Sequence, residues 1–289
     1  MIKRTIYALM AIAIMATSCS KDDDGQTTAR LTLNLNGLED LGNDYVYEGW
    51  IIVDGNPVST GTFTSVTFPQ KFNVDAEQLS SATTFVLSIE PAIDPDPAPA
   101  ATKILVGDFS GDSANVNSSG IVADFSSASG KYILATPTDG ENTNELSGVW
   151  FLDLSSGTPA VGLNLPDLSA GWKYEGWAVI DGLPVSSGTF TDVADFDDNA
   201  TTTPFKGSLG DGPPFPGEDY LQNAPGSLTF PTDLRGKTVV ISVEPNPDNS
   251  PAPFTLKPLA HMVPAGATDH STIDMGTGPV TSLSGTVTR

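Results

Sequence analysis

The stretch YEGWIIVDGNPVSTGTFTSV, Tyr47 to Val66, recurs as YEGWAVIDGLPVSSGTFTDV, Tyr174 to Val193, with fourteen identities in twenty aligned positions. In each copy an apolar run ends at an Asp-Gly pair, Asp54-Gly55 or Asp181-Gly182, and Pro-Val-Ser then leads into Gly-Thr-Phe-Thr. Asp-Gly between two such runs signals a two-residue hairpin, because both central residues of that turn need positive φ. Strand alternation puts Tyr47, Gly49, Ile51 and Val53 on one face and Glu48, Trp50 and Ile52 on the other. Both faces carry apolar groups, so the strand is expected inside a sheet. Farther along, FVLSIEP ends at Pro91 and VVISVEP at Pro245. Each reads as a further strand stopped by a residue that cannot donate to the ladder.

Other matches keep the same order. Leu33-Asn34-Leu35 pairs with Leu163-Asn164-Leu165, and Leu146-Ser147-Gly148 with Leu283-Ser284-Gly285. Ordered matches over this distance mean a duplicated unit. The expected division is a first domain at 30–153 and a second at 154–289, joined around Ser155 to Ala160 with no long linker. The second copy carries a surplus of 27 residues between Val193 and Val239, rich in Asp, Gly and Pro, expected as an inserted loop at 194–220 that serves as the specific interaction surface, with a tolerated surface insertion or a lid packed against the first domain as the alternatives. The first copy has its own unmatched segment, GKYILATPTDG, Gly130 to Gly140. The fold class expected is all-β: two tandem Ig-like antiparallel β-sandwich domains, each with its inner sheet faces as core. The 28 Gly and 23 Pro among 289 residues suit many short strands better than long helices.

The N-terminus reads as a signal peptide over residues 1–18: basic Lys3 and Arg4, an apolar run from Ile6 to Met15, then Ala16, Thr17 and Ser18. The apolar run is about half of the ~20 residues a membrane span needs. Cys19 is the only cysteine, so disulfides within the chain and Cys-based zinc sites are excluded. Its position is that of a lipidated cysteine in a bacterial lipoprotein, although Ala16 stands where Leu is usual. Stable anchoring takes more than one acyl chain. Residues 19–29 are expected as the lipidated Cys and an acidic, hydrophilic tether. The formal net charge of −22 disfavours nucleic acid and anionic headgroups as partners. The localisation expected is extracytoplasmic, lipid-anchored in an outer membrane, with surface exposure left open.

The repeat resembles the extracytoplasmic C-terminal domain of the anti-sigma-K factor family. The residues that carry the resemblance are Tyr47, Trp50, Asp54, Gly55, Pro57, Val58, Ser59, Gly61, Phe63, Glu90 and Pro91. They recur as Tyr174, Trp177, Asp181, Gly182, Pro184, Val185, Ser186, Gly188, Phe190, Glu244 and Pro245. In that family the anti-sigma activity belongs to a cytoplasmic N-terminal domain on the far side of a membrane helix. The resemblance therefore implies a β-rich outer module with a sensing or binding role.

No motif for catalysis stands out, and the chain is expected to be non-enzymatic, with binding, sensory or scaffold work in a cell envelope. A surface glycan-binding protein is the alternative, and a carboxylate-dependent hydrolase the rival from another class. Glu48 with Glu90, and Glu175 with Glu244, would form acid–base pairs if they met on adjacent strands; the plainer reading has each carboxylate binding backbone N–H groups of a turn. His261 and His270 have no zinc spacing, and a local Ser-His-Asp set in the first domain is excluded because both histidines lie in the second. No cofactor and no metal site is assigned. Calcium, as a structural loop staple, would suit Asp94, Asp96, Asp108, Asp112, Asp195, Asp197 and Asp198, although Asp in turns ordinarily caps local backbone. Trp172, with no duplicate in the first copy, is the expected surface aromatic. Candidate binding residues are thus Trp172, Asp195, Asp197, Asp198, Phe205 and Phe215, with an envelope protein or a glycan as partner.

Overall fold

The computed structural model describes residues 27–140, 143–248 and 250–289. The signal peptide, Cys19 and most of the tether lie outside the described residues. The last residues assigned to that tether, Thr28 and Ala29, already belong to a strand, paired with Asp75 and Val74.

The described chain is almost entirely antiparallel β. Its strands begin with β1 (Thr28–Asn36), β2 (Tyr45–Val53), β3 (Asn56–Phe63) and β4 (Gln70–Asp75); after α1 (Ala76–Ser81) come β5 (Thr84–Pro91), β6 (Lys103–Ser110), β7 (Ser113–Asn117) and β8 (Ser129–Tyr132). Short strands β9 (Gly148–Trp150), β10 (Leu152–Asp153), β11 (Ala160–Val161) and β12 (Leu163–Asn164) lead to β13 (Trp172–Ile180) and β14 (Leu183–Phe190). The last are β15 (Gly217–Asp219), β16 (Thr238–Pro245), β17 (Lys257–Met262), β18 (Ile273–Asp274), β19 (Gly276–Val280) and β20 (Ser284–Thr288).

The hairpins form as the Asp-Gly pairs require. Val53 pairs with Asn56 across β2 and β3, with Asp54 at φ 50 and Gly55 at φ 78. Asp181 and Gly182 repeat the turn at φ 52 and 84. Strand β2 lies between β3 and β5, and β13 between β14 and β16, so both strands are internal. Tyr47 and Ile51 point into the core with no exposed surface. Each repeat also ties its strand to the chain eight residues upstream: Tyr47 Oη donates to the Glu39 carbonyl at 2.9 Å, and Tyr174 Oη to the Pro166 carbonyl at 2.6 Å.

The two halves are not separate sheets. The larger sheet runs β3-β2-β5-β6-β7-β20-β1-β4, with the C-terminal strand inserted between two strands of the first half. Thr32–Asn36 pair with Thr288–Ser284, and β20 also pairs with β7. In the opposite direction β8, from the first half, pairs with β12 and β18 of the second. Tyr132 at its end forms a hydrogen bond with His261 Nδ1 at 3.0 Å. Each half therefore lends a strand to a sheet of the other, whereas the five-stranded sheet β14-β13-β16-β17-β19 lies wholly in the second half. Burial follows the same plan: one core cluster runs from Leu31 to Val287 and includes Phe85, Phe151, Tyr174 and Ile241.

Candidate functional site

The face of each repeat that carries Glu48 and Trp50, or Glu175 and Trp177, builds the same polar relay across three strands. Trp50 lies opposite Ser59 on β3, and Glu48 opposite Ser88 on β5. Trp50 Nε1 donates to Ser88 Oγ at 2.8 Å, Ser88 donates to Glu90, and Ser59 donates to Glu48. In the second copy Trp177 Nε1 donates to Ser242 Oγ at 2.8 Å, Ser242 to Glu244, and Ser186 to Glu175. The loop that leads into the next strand then returns a backbone donor, Ala100 N–H to Glu90 and Phe254 N–H to Glu244. The paired carboxylates do stand on adjacent strands, and one of each pair is tied to the backbone of a turn. Trp50 is 4% and Trp177 2% exposed, in equivalent positions. Truncating either to Ala is expected to cost roughly 3 to 5 kcal/mol in urea unfolding, through the lost ring and the cavity left behind. A loss below about 1 kcal/mol would show that the ring is not part of the packing.

The relays differ in exposure. Glu48 is half-buried, whereas Glu175 is buried. Burial pushes Glu175 up to about 7 and Glu244 up to about 8, the serine donors only partly opposing it. Glu90 is also raised, first by burial.

Between the halves lies a cavity of about 530 Å³. Glu39, Leu41, Tyr45 and Ala101 line it from the first half, and Pro247 and Phe254 from the second. Trp172 closes the junction from within: its ring lies 5.8 Å from that of Phe254, and its Nε1 donates to the Lys103 carbonyl at 3.2 Å. Thr255 Oγ1 donates to the Gly37 carbonyl at 2.9 Å. Burial pushes Glu39 up to about 7 although Lys257 stands near.

Trp172 is therefore no surface platform. It is 3% exposed, with the Phe254 ring of its own half beside the indole and Lys103 of the other half accepting from its Nε1. The remaining candidates do not converge on one surface either. Asp195 is exposed, accepting from the Phe196 N–H. Asp198 accepts from Lys173 at 2.7 Å and Thr189 at 2.6 Å, fastening the insertion beside β14. Asp197 is buried, and burial pushes it up to about 6. Phe205 packs against Tyr220 and Phe230, and Phe215 joins Ile133, Ala135, Trp150 and Leu152 in a small second core.

The insertion is a roof over the first half's unmatched segment. Strand β15 pairs with β9, and Asp219 accepts from Trp150 Nε1 at 2.7 Å and from the Thr138 N–H at 2.8 Å. Leu209 N–H donates to the Thr138 carbonyl. The two segments that lack a duplicate thus complete each other. The aspartates considered for calcium act locally: Asp94 accepts from the Asp96 N–H, Asp96 from the Ala98 N–H, and Asp108 from Thr84.

Residues 22–104 match the family model described as anti-sigma-K factor rskA, C-terminal. The match contains the first hairpin, the first carboxylate pair and the Ala100 donor, and it relates the first copy to part of a regulatory protein. No curated protein and no solved structure gives a significant match.

Proposed function

We propose that this chain is a non-enzymatic, extracytoplasmic binding or sensory module, held at an envelope membrane by lipid on Cys19, in which both halves are modules of the anti-sigma-K factor C-terminal type. The observation that carries the binding role is the cavity between the halves. It is concave, with apolar wall between the carboxylates of Glu39, Asp40, Asp44 and Asp248, and concave sites that combine apolar surface with polar groups are where ligands usually bind; both copies must be present to form it. The repeated relay supports the scaffold half of the reading, since the same hydrogen bonds hold Glu90 and Glu244 to neighbouring turns.

A photo-crosslinking residue at Leu41, beside the cavity, is expected to capture a discrete envelope component. The same residue at Met262, which is 66% exposed and away from the cavity, should not. Filling the cavity with Ala101→Trp should abolish capture at Leu41 while leaving thermal unfolding nearly unchanged. Equal capture at both positions, or capture that survives the filled cavity, would remove the support for this site. For the anchor, Cys19→Ala is expected to move the protein from the membrane fraction to the soluble fraction. Retention on membranes by the folded variant would show that the anchor lies elsewhere. Among the described residues no helix is long and apolar enough to cross a membrane.

A further inference from the structure

Glu175, Glu244 and Asp248 each bring a carboxylate oxygen to within 4.8 Å of the others. Two of the three groups are almost sealed from solvent, Glu175 at 5% and Glu244 at 1% exposure. Their first oxygens are committed: Glu175 Oε1 accepts from Ser186, and Glu244 Oε1 accepts from Ser242 and from the Phe254 N–H at 2.9 Å. Their second oxygens, Glu175 Oε2 and Glu244 Oε2, are buried and accept no hydrogen bond among the described residues. Buried acceptors are rarely left so. Two of them on converging carboxylates ask for a positive group between them.

Among the described residues, no cation donates a hydrogen bond to either open oxygen, although the charge of Lys257 is felt at Glu244. Lys173, cross-strand from Glu244, is held by Asp198, and Lys257 Nζ donates to the Phe254 carbonyl. The duplication offers an internal comparison. In the first copy Ala100 N–H reaches both oxygens of Glu90, at 2.9 and 3.1 Å. Among the described residues, the equivalent Glu48, Glu90 and Asp94 do not converge to the same distance. The same backbone thus satisfies the carboxylate in one copy and leaves an oxygen open in the other.

We propose that Glu175, Glu244 and Asp248 bind a divalent cation of the calcium class. The donor set is all oxygen, with no imidazole or thiolate, which suits a hard cation. Calcium accepts the irregular, water-completed geometry that three carboxylates on two strands and a Pro-rich turn can give, whereas magnesium demands near-octahedral order. The cation would clip the turn after β16 to the sheet, at the wall of the cavity to which Asp248 contributes. This assignment does not depend on what the cavity binds. The competing arrangement is a proton shared between Glu175 and Glu244.

The test uses the full chain carrying Cys19→Ala, stripped with chelator and titrated near pH 8, with calcium and terbium as probes. Calcium is expected to raise the melting temperature with a stoichiometry of one. Terbium should give saturable luminescence sensitised by Trp177, whose indole donates to Ser242, the serine that in turn donates to Glu244. Asp248→Asn, on a surface turn, should weaken calcium about tenfold or more by removing ligand charge, and Glu244→Gln should abolish the response. Glu90→Gln in the other copy should leave it intact. Melting that ignores calcium, or a calcium response unchanged in both Asp248→Asn and Glu244→Gln, overturns the site. A gain in stability near pH 8 for Glu244→Gln, together with calcium-insensitive melting, overturns it in favour of the shared proton.

Discussion

A chain ending at Leu283 is expected to lose cooperative folding of the eight-stranded sheet, although it lacks only the last six residues. Those residues are β20 and Arg289, and β20 pairs on one side with β1 and on the other with β7. Without it, two hydrogen-bonding edges open in the middle of a sheet. Val287, with no exposed surface, opposes Leu33 across the ladder, and its burial alone is worth about 1.5 to 3 kcal/mol. Arg289 adds contacts of its own: its guanidinium donates to the carbonyls of Leu79, Ala82 and Gly111 and lies 4.5 Å over the Phe109 ring. Hydrogen bonds from a charged donor contribute about 1.5 to 3 kcal/mol. Together with the ladder, these losses approach the roughly 5 to 15 kcal/mol that holds a domain folded. Hydrogen exchange should show protection collapsing in β1 and β7, and adding the Ser284–Arg289 peptide should restore part of it. In the intact chain, Val287→Asp should reproduce the defect and Thr286→Asp, on the exposed face, should not. A truncated chain that melts like the full one would mean that β20 is an ornament on a complete sheet.

That dependence was not legible in the repeat. The duplicated hairpins, the internal placement of β2 and β13 and the strands ending at Pro91 and Pro245 all follow from local pattern, because turn geometry and alternation act over a few residues. The choice of sheet for a short strand does not. SGTVT in β20 buries one large residue, Val287, and SGKY in β8 likewise buries one large residue, Tyr132, beside Gly130. Such strands fit any edge of the right register. The match between Leu146-Ser147-Gly148 and Leu283-Ser284-Gly285 is equally blind to this: Gly148 opens β9, paired with the insertion, while Ser284 opens β20, paired with β1 and β7. Trp172 failed as a surface residue for a similar reason. The Phe254 ring and Lys103 carbonyl that cover it are far away in sequence. Within the polar insertion, composition cannot foresee that Glu218 and Asp219 find donors inside. Glu218 accepts from Thr203 and the Asp219 N–H, and Asp219 from Thr138 and Trp150.

Those buried carboxylates lead to the second large effect: the protein is expected to lose stability as pH rises from about 5 to about 8, where an ordinary acidic protein holds steady. Burial pushes Glu218 up to about 8 and Asp219 up to about 6, with Glu175 at about 7 and Glu244 at about 8 in the relay when no cation is bound there, as in chelator. An acid raised on folding binds its proton more tightly in the folded chain. Its contribution is therefore complete below the unfolded value, near 4.5, and is lost as pH climbs through the folded value. Each pH unit of elevation corresponds to about 1.4 kcal/mol. Glu218 alone thus carries on the order of a few kcal/mol, and a protein of this size loses roughly 2 to 4 °C of Tm per kcal/mol. Melting near pH 8.5 should lie on the order of 10 °C below melting near pH 5. Asp198 and Asp233, held low by Lys173 and Arg235 despite some burial, act in the opposite sense and only below about pH 4, so they leave this window untouched. Glu218→Gln isolates the cause, since the amide keeps an acceptor for the Asp219 N–H and cannot ionise. Near pH 5 it should melt close to the natural chain, and near pH 8.5 it should melt several degrees higher. A flat profile, or a glutamine variant that parallels the natural chain at every pH, would mean that the roof over β9 opens to water readily enough for Glu218 to ionise without cost.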